Sequence, residues 1–180
     1  MRIISGSAKG ARLGPVPPGT RPISDRAREG LFSSLADRVA GATVLDLYAG
    51  TGATGIEALS RGAVHATFVD RSRQAIRAIR DNLQRTKLGG RAKVVERDVV
   101  RFLDTSPEPV DLVFLDPPYD AALDALAEAL RRVATGWLAG GATVALTRPR
   151  KGYSPVIPVH WLVTRRLEYG DTLVVLYREV

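Results

Sequence analysis

The sequence predicts an α/β fold built on a mostly parallel sheet. Three observations predict it. From residue 43 to residue 146, short apolar runs rich in β-branched residues alternate with segments patterned as helices. Strict alternation of this kind gives parallel strands joined by right-handed crossovers, with helices on both faces. Gly50-Thr51-Gly52-Ala53-Thr54-Gly55 directly follows the first run and opens a helix, as a ligand-binding loop of such sheets does. The alternation then ends in two β-like runs joined by Gly170-Asp171, a hairpin signal with Gly at the first turn position.

The elements follow in order. Residues 1–22 carry many Gly and Pro, so no long helix forms there. Short strands near Ile3-Ile4 and Ala11-Arg12-Leu13 can pair around Lys9-Gly10 as a small hairpin extension, leaving 23–180 as the main domain. Ser24 suits a helix N-cap, and Ala27, Leu31, Phe32 and Leu35 recur at helical spacing, which predicts a helix to about Val39. Strands are expected at 43–48, 66–70, 93–96, 112–116 and 142–146, with helices at 53–61, from Ser72, at 99–103 and at 121–134. The runs 161–169 and 172–177 complete a seven-stranded sheet with an antiparallel C-terminal hairpin.

Composition narrows the function. The chain has 180 residues, enough for one domain with its own core, and no cysteine. Disulfides, zinc–thiolate sites and a cysteine nucleophile are therefore excluded. No segment approaches the length of a membrane span, so a soluble cytoplasmic protein is the default; a monomer is a separate expectation, on which the sequence itself is silent. The net charge is +7, and most of it sits at one end. The first 28 residues hold Arg2, Lys9, Arg12, Arg21, Arg26 and Arg28 against Asp25 alone. Such a cluster suggests a polyanionic partner.

Two motifs carry the chemistry. In the first, Gly50 and Gly52 allow close backbone approach to a ligand, and the helix N-terminus behind them favours negative charge. Asp46, four residues earlier, suits a cationic ammonium better than a pyrophosphate. Asp70 ends the next strand, where an acid accepts ribose hydroxyls. Asp98 follows the third strand and can accept from an adenine amine, although it equally suits a helix N-cap. This set fits S-adenosylmethionine, with Tyr48, Arg71 and Val99 as flanking candidates. A dinucleotide cofactor is the competing reading of the glycine pattern. His65 and His160 are isolated, and no metal is expected.

The second motif is Asp116-Pro117-Pro118-Tyr119, placed where the apolar run Leu112-Val113-Phe114-Leu115 ends. An exocyclic amine on a nucleobase is a poor nucleophile, because its lone pair is delocalised into the ring. Asp116 and a carbonyl near Pro117 can accept its two N–H bonds and stabilise charge developing on nitrogen. Proline brings no competing N–H donor, and Tyr119 can stack on the base. The target must be looped or flipped out to reach such a pocket.

Asp46-Leu47-Tyr48-Ala49-Gly50-Thr51-Gly52 together with Asp116-Pro117-Pro118-Tyr119 resembles the class I, Rossmann-like methyltransferases that modify exocyclic amines. The N-terminal residues sharpen this. Arg2-Ile3-Ile4-Ser5-Gly6, Lys9-Gly10-Ala11-Arg12-Leu13, Arg21-Pro22-Ile23-Ser24-Asp25-Arg26-Ala27-Arg28-Glu29 and Gly55-Ile56-Glu57-Ala58 resemble the RsmD family. The resemblance implies transfer of a methyl group to N2 of a guanine in bacterial 16S ribosomal RNA or the assembling small subunit. It also implies that the Arg21–Asp25 segment, Ser24 included, lies over the cofactor, and that the basic N-terminal hairpin grips RNA. One stretch departs from the family pattern, which favours an acid after the strand near Leu146. Here the chain reads Thr147-Arg148-Pro149-Arg150-Lys151, either phosphate contacts or a basic surface loop. A DNA adenine-N6 or cytosine-N4 methyltransferase is the alternative, but the chain has no room for a separate target-recognition domain. A non-catalytic RNA-binding module would not need the cofactor acids.

Overall fold

The computed structural model describes residues 1–180. Helix α1 (Asp25–Leu35) is capped by Ser24, whose side chain accepts the Ala27 N–H. A short 3₁₀ turn carries the chain toward β1 (Thr43–Leu47). Then follow α2 (Ala53–Ser60), β2 (His65–Asp70), α3 (Arg73–Thr86), β3 (Ala92–Glu96), α4 (Val99–Leu103), β4 (Val110–Leu115) and α5 (Leu123–Val133). The chain ends in β5 (Leu138–Pro149), β6 (Trp161–Tyr169) and β7 (Thr172–Glu179). The expected α/β architecture is present, with seven strands in the order β3-β2-β1-β4-β5-β7-β6. Neighbours from β3 to β5 pair in parallel, while β7 runs antiparallel to both β5 and β6.

Two apolar layers cover the sheet. Residues of α1, α2 and α3 pack on one face, through Leu31, Phe32, Ile56, Leu59 and Ile79. Residues of α4 and α5 pack on the other, through Phe102, Leu126 and Leu130. Strands buried on both faces read as continuous apolar runs, as β4 does over residues 112–115. No helix is long and apolar enough to cross a membrane.

The N-terminal segment is a hairpin of irregular backbone. Its two arms meet at a single Arg2–Arg12 bridge, supported by Ile3 N–H to Ala11 carbonyl at 3.0 Å and Gly10 N–H to Ile3 carbonyl at 2.8 Å. Ile3 and Leu13 are buried in the same core as α1 and α2. The Glu57 carboxylate, fully buried on α2, accepts the backbone N–H of Ile4 at 2.8 Å and of Ser5 at 3.0 Å. The hairpin is thus tied to α2 by backbone bonds that do not depend on its surface side chains.

The strand order reverses direction beside β1. The chain moves from β1 outward through β2 and β3, then returns to β4 on the other side. Between the carboxyl ends of β1 and β4 lies the crevice in which open α/β sheets bind ligands.

Candidate active site

A cleft of about 850 Å³ opens at this switch point. Its floor is the loop after β1, from Tyr48 to Thr51. Asp70 and Asp98 stand on one wall and Asp116 to Tyr119 on the other. Residues 18–23 of the N-terminal segment form the cover. The sequence motifs therefore converge on one cavity, although they lie up to about 100 positions apart.

Local chemistry builds each wall. Leu47 of β1 pairs with Leu115 of β4, so Tyr48 and Asp116 emerge side by side. Tyr48 adopts a left-handed backbone, with φ of 58°. That conformation is costly for a bulky residue and persists only where the surroundings enforce it. It turns the chain into Gly50 and Gly52, which also have positive φ. A Cβ added at Gly50 would stand 3.1 Å from the Thr20 methyl of the cover.

The acids divide into three roles. Asp46 is buried behind the lining, where its Oδ2 accepts the Gly55 N–H at 2.9 Å at the start of α2. Burial pushes its carboxyl well above the ordinary range, and the charges of Asp116 and Asp70 add to this; the Gly55 bond opposes it. Asp46 supports the loop from below in this arrangement and does not line the cleft, unlike the ammonium contact expected of it. Asp70 lines the cleft and braces the loop, with Oδ2 accepting from Gly50 N–H at 2.9 Å and Oδ1 from Ser72 N–H at 2.8 Å. Each of its oxygens retains a second lone pair for a ribose hydroxyl. Asp98 caps α4 through Oδ1, which accepts the Arg101 N–H at 3.1 Å. Its other oxygen makes no protein hydrogen bond, so the cap and a ligand contact are compatible.

Asp116 sits at the junction of the two walls. Burial raises its pKa to about 7, against the opposing effect of the Ile23 backbone N–H in the cover. Tyr119 is fixed at both ends. Its hydroxyl lies 3.2 Å from Thr172 Oγ1, and the Arg21 guanidinium stands over its ring at 4.9 Å. Tyr48, with its pKa pushed up to about 12 by burial, is further raised by Asp98 and lowered by Arg71, which places the three on one rim. Val99 completes that rim. Gly52 and Ser24 do not line the cavity: Gly52 packs against Ile56 and Ile79, and Ser24 is engaged as the α1 cap.

The family model described as Conserved hypothetical protein 95 matches residues 1–178. The Ribosomal RNA small subunit methyltransferase D of Escherichia coli (strain K12) is 38% identical over 181 residues, covering 99% of this chain and 89% of that protein. The chain belongs to the RsmD family. The protein of the same name from Haemophilus influenzae is 33% identical over 99% of this chain and 93% of its own length. A solved Escherichia coli structure matches with a TM-score of 0.87 at 37% identity, over 99% of this chain and 97% of that chain.

Within this RsmD-family fold, the six basic candidates separate. Arg2, Lys9, Arg12, Arg21 and Arg26 are exposed and make no ion pair. Arg28 is different, and its assignment to an RNA surface is corrected. Its side chain is fully buried, 3.0 Å from Asp25 Oδ1 and 3.6 Å from Glu57 Oε2, and it donates to the Arg2 carbonyl. With no exposed surface and two carboxylates already matching its charge, Arg28 holds the hairpin to α1 and α2. His65 and His160 are exposed and remote from the cleft.

The cleft also contains residues that motif reading missed. Pro18, Thr20 and Ile23 form the cover, and Ala122, Ala125 and Leu126 an apolar wall. The Gly-Pro-rich composition of residues 14–19 signalled an extended segment, but nothing local says where such a segment lies.

Proposed function

We propose that this chain is an S-adenosylmethionine-dependent methyltransferase that modifies the exocyclic N2 amine of a guanine in small-subunit ribosomal RNA. The observation that carries the reading is a shared cavity: Asp116 to Tyr119 face the same space as Asp70, Asp98 and the glycine loop. The names of its relatives support ribosomal RNA as the substrate class. The exposed cations of the N-terminal hairpin supply the matching charge. A ribosomal RNA substrate supports a cytoplasmic location.

The residues present fit the methyl donor. Asp70 offers acceptors for a ribose diol and Asp98 a free carboxylate oxygen for an adenine amine. The loop at Gly50 approaches closely enough that a side chain there would meet the cover. Ala125 and Leu126 suit an apolar ring face. When bound, S-adenosylmethionine supplies an electrophilic sulfonium methyl group.

The chain's own residues orient the amine. The Asp116 carboxylate accepts one N–H and the Pro117 carbonyl the other, which aims the nitrogen lone pair into the cleft. With the methyl group passing to nitrogen as its bond to sulfur breaks and S-adenosylhomocysteine is left, the positive charge arising on nitrogen would lie beside Asp116, in a site of low dielectric. Asp116 titrates near neutrality, so its carboxylate oxygen can take the proton that the methylated nitrogen releases. Tyr119 holds the base plane by stacking, and its ring is kept in place by Thr172 and Arg21.

Incubation with methyl-labelled cofactor, small subunits lacking the modification and duplex DNA tests the substrate. Label in the RNA alone is expected. Label in DNA alone would replace this reading with the DNA amino-methyltransferase.

A further inference from the structure

Arg148 is the unexplained charge of this molecule. It lies near the end of β5, one strand across from the Asp116–Tyr119 turn, since Leu146 pairs with Leu115. The residue is only 8% exposed; Nε and Nη1 are closed off without a hydrogen-bond partner, which leaves Nη2 as the nitrogen open to a ligand. No carboxylate stands within ion-pair distance of it. The Tyr119 phenol is the one ionisable group that acts on it appreciably. The register agrees, because Tyr119 bonds Thr172, and Thr172 pairs with Pro149, the residue after Arg148.

A buried cation without a partner is expensive, and removing such a charge ordinarily stabilises a fold. A full positive charge is matched better by an anion than by a neutral carbonyl. Beside it, Arg21 covers the Tyr119 ring and Lys151 is exposed beyond the strand end, while Arg150 is paired with Glu168 at 3.5 Å. We propose that Arg148 is a substrate-binding residue that takes a backbone phosphate of the RNA next to the nucleotide held by Asp116 and Tyr119. This rests on the functional reading above and adds a residue to it. The phosphate contact fixes the strand beside the flipped base, so the base enters the cleft in one register.

The experiment compares wild type, Arg148→Met and Arg148→Lys in three measurements: thermal unfolding, S-adenosylmethionine affinity by calorimetry, and the salt dependence of binding to a single-stranded small-subunit RNA fragment. Arg148→Met should unfold at the same temperature as wild type or higher and bind the cofactor equally well. Its log–log salt slope should be shallower by about 0.7, the value for one phosphate on a single strand. Arg148→Lys should keep the wild-type slope. An unchanged slope in Arg148→Met overturns the proposal. If unfolding temperature falls with that unchanged slope, Arg148 is a structural residue; if cofactor affinity falls instead, it serves the cofactor's carboxylate. Methylation of small subunits by the wild-type chain, run in parallel, reports on the functional reading alone, so the two failures are distinguishable.

Discussion

Asp70 holds Gly50: its Oδ2 accepts the Gly50 backbone N–H at 2.9 Å, across the gap between the ends of β1 and β2. The same carboxylate braces Ser72 at the start of α3. The acid proposed for the ribose therefore also shapes the loop proposed to receive the cofactor. Asp70→Asn places an amide donor against one of these N–H donors. Leaving one such group unpaired costs about 1–3 kcal/mol. We expect a loss of stability in that range by urea unfolding, and S-adenosylmethionine affinity reduced by about tenfold or more in calorimetry. Unaltered affinity would remove Asp70 from the site. NAD should not bind either protein.

Arg28 and Arg2 make opposite predictions, although both belong to the basic N-terminal block. Arg28→Met strips the fully buried Glu57 of a partner. Breaking a buried pair from one side costs about 3–5 kcal/mol, read as a lower urea midpoint. The salt slope of RNA binding should not move in the protein that remains folded. The double variant Arg2→Gln, Arg12→Gln should do the reverse, keeping stability and making the slope shallower by about 1.4.

The Asp116 carboxyl gives a pH signature. Its folded pKa, about 7, lies above the ordinary carboxylate value of 3.8. The folded protein therefore binds more protons than the unfolded chain between these values, and stability contributed below pH 3.8 is lost as pH rises toward 7. The wild-type chain should lose a few kcal/mol across that window through Asp116. Asp116→Asn should flatten that part of the profile. Activity should run the other way: kcat/KM should climb as the carboxylate forms around pH 7. Asp116→Ala should bind the cofactor and fail to transfer the methyl group. Full turnover by Asp116→Ala would refute its role.

Tyr119→Phe should retain most activity, since the stacking face and the Arg21 contact remain. Tyr119→Ala removes both. Base–aromatic stacking contributes about 1–3 kcal/mol, so KM for the RNA should rise correspondingly while cofactor affinity stays. A cofactor defect as large as the RNA defect would place Tyr119 in the cofactor pocket instead.

Much of this molecule was legible in its sequence, for identifiable reasons. Parallel strands covered on both faces are apolar throughout, which made β1, β2 and β4 readable. Gly170-Asp171 announced the β6–β7 turn. The β5 strand was expected over 142–146 but runs from Leu138 to Pro149. Its first part contains Gly140 and Gly141 and pairs with β4 through a register shift, so its pattern is broken locally. The N-terminal hairpin has one bridge in place of strands, because its backbone bonds go to Glu57 and Ser60 on α2.

The site was legible by motif and hidden by depth. Charge counting could not separate Arg28 from Arg26, since both are cations in one block. A signal did exist: Arg28 precedes Leu31 and Leu35 at helical spacing, on the buried face of α1. Glu57, within an apolar helix, was its waiting partner. Asp46 had the right sequence position, yet its carboxyl turned inward to Gly55. The stacking of Arg21 on Tyr119 joins positions 98 apart in the chain and has no local trace.

The most direct test of the central claim is nucleoside analysis of small-subunit RNA methylated by this enzyme with labelled S-adenosylmethionine. Label is expected in N2-methylguanosine and nowhere else. Label in a methylated adenosine, in a methylated cytidine or on a ribose hydroxyl would contradict it.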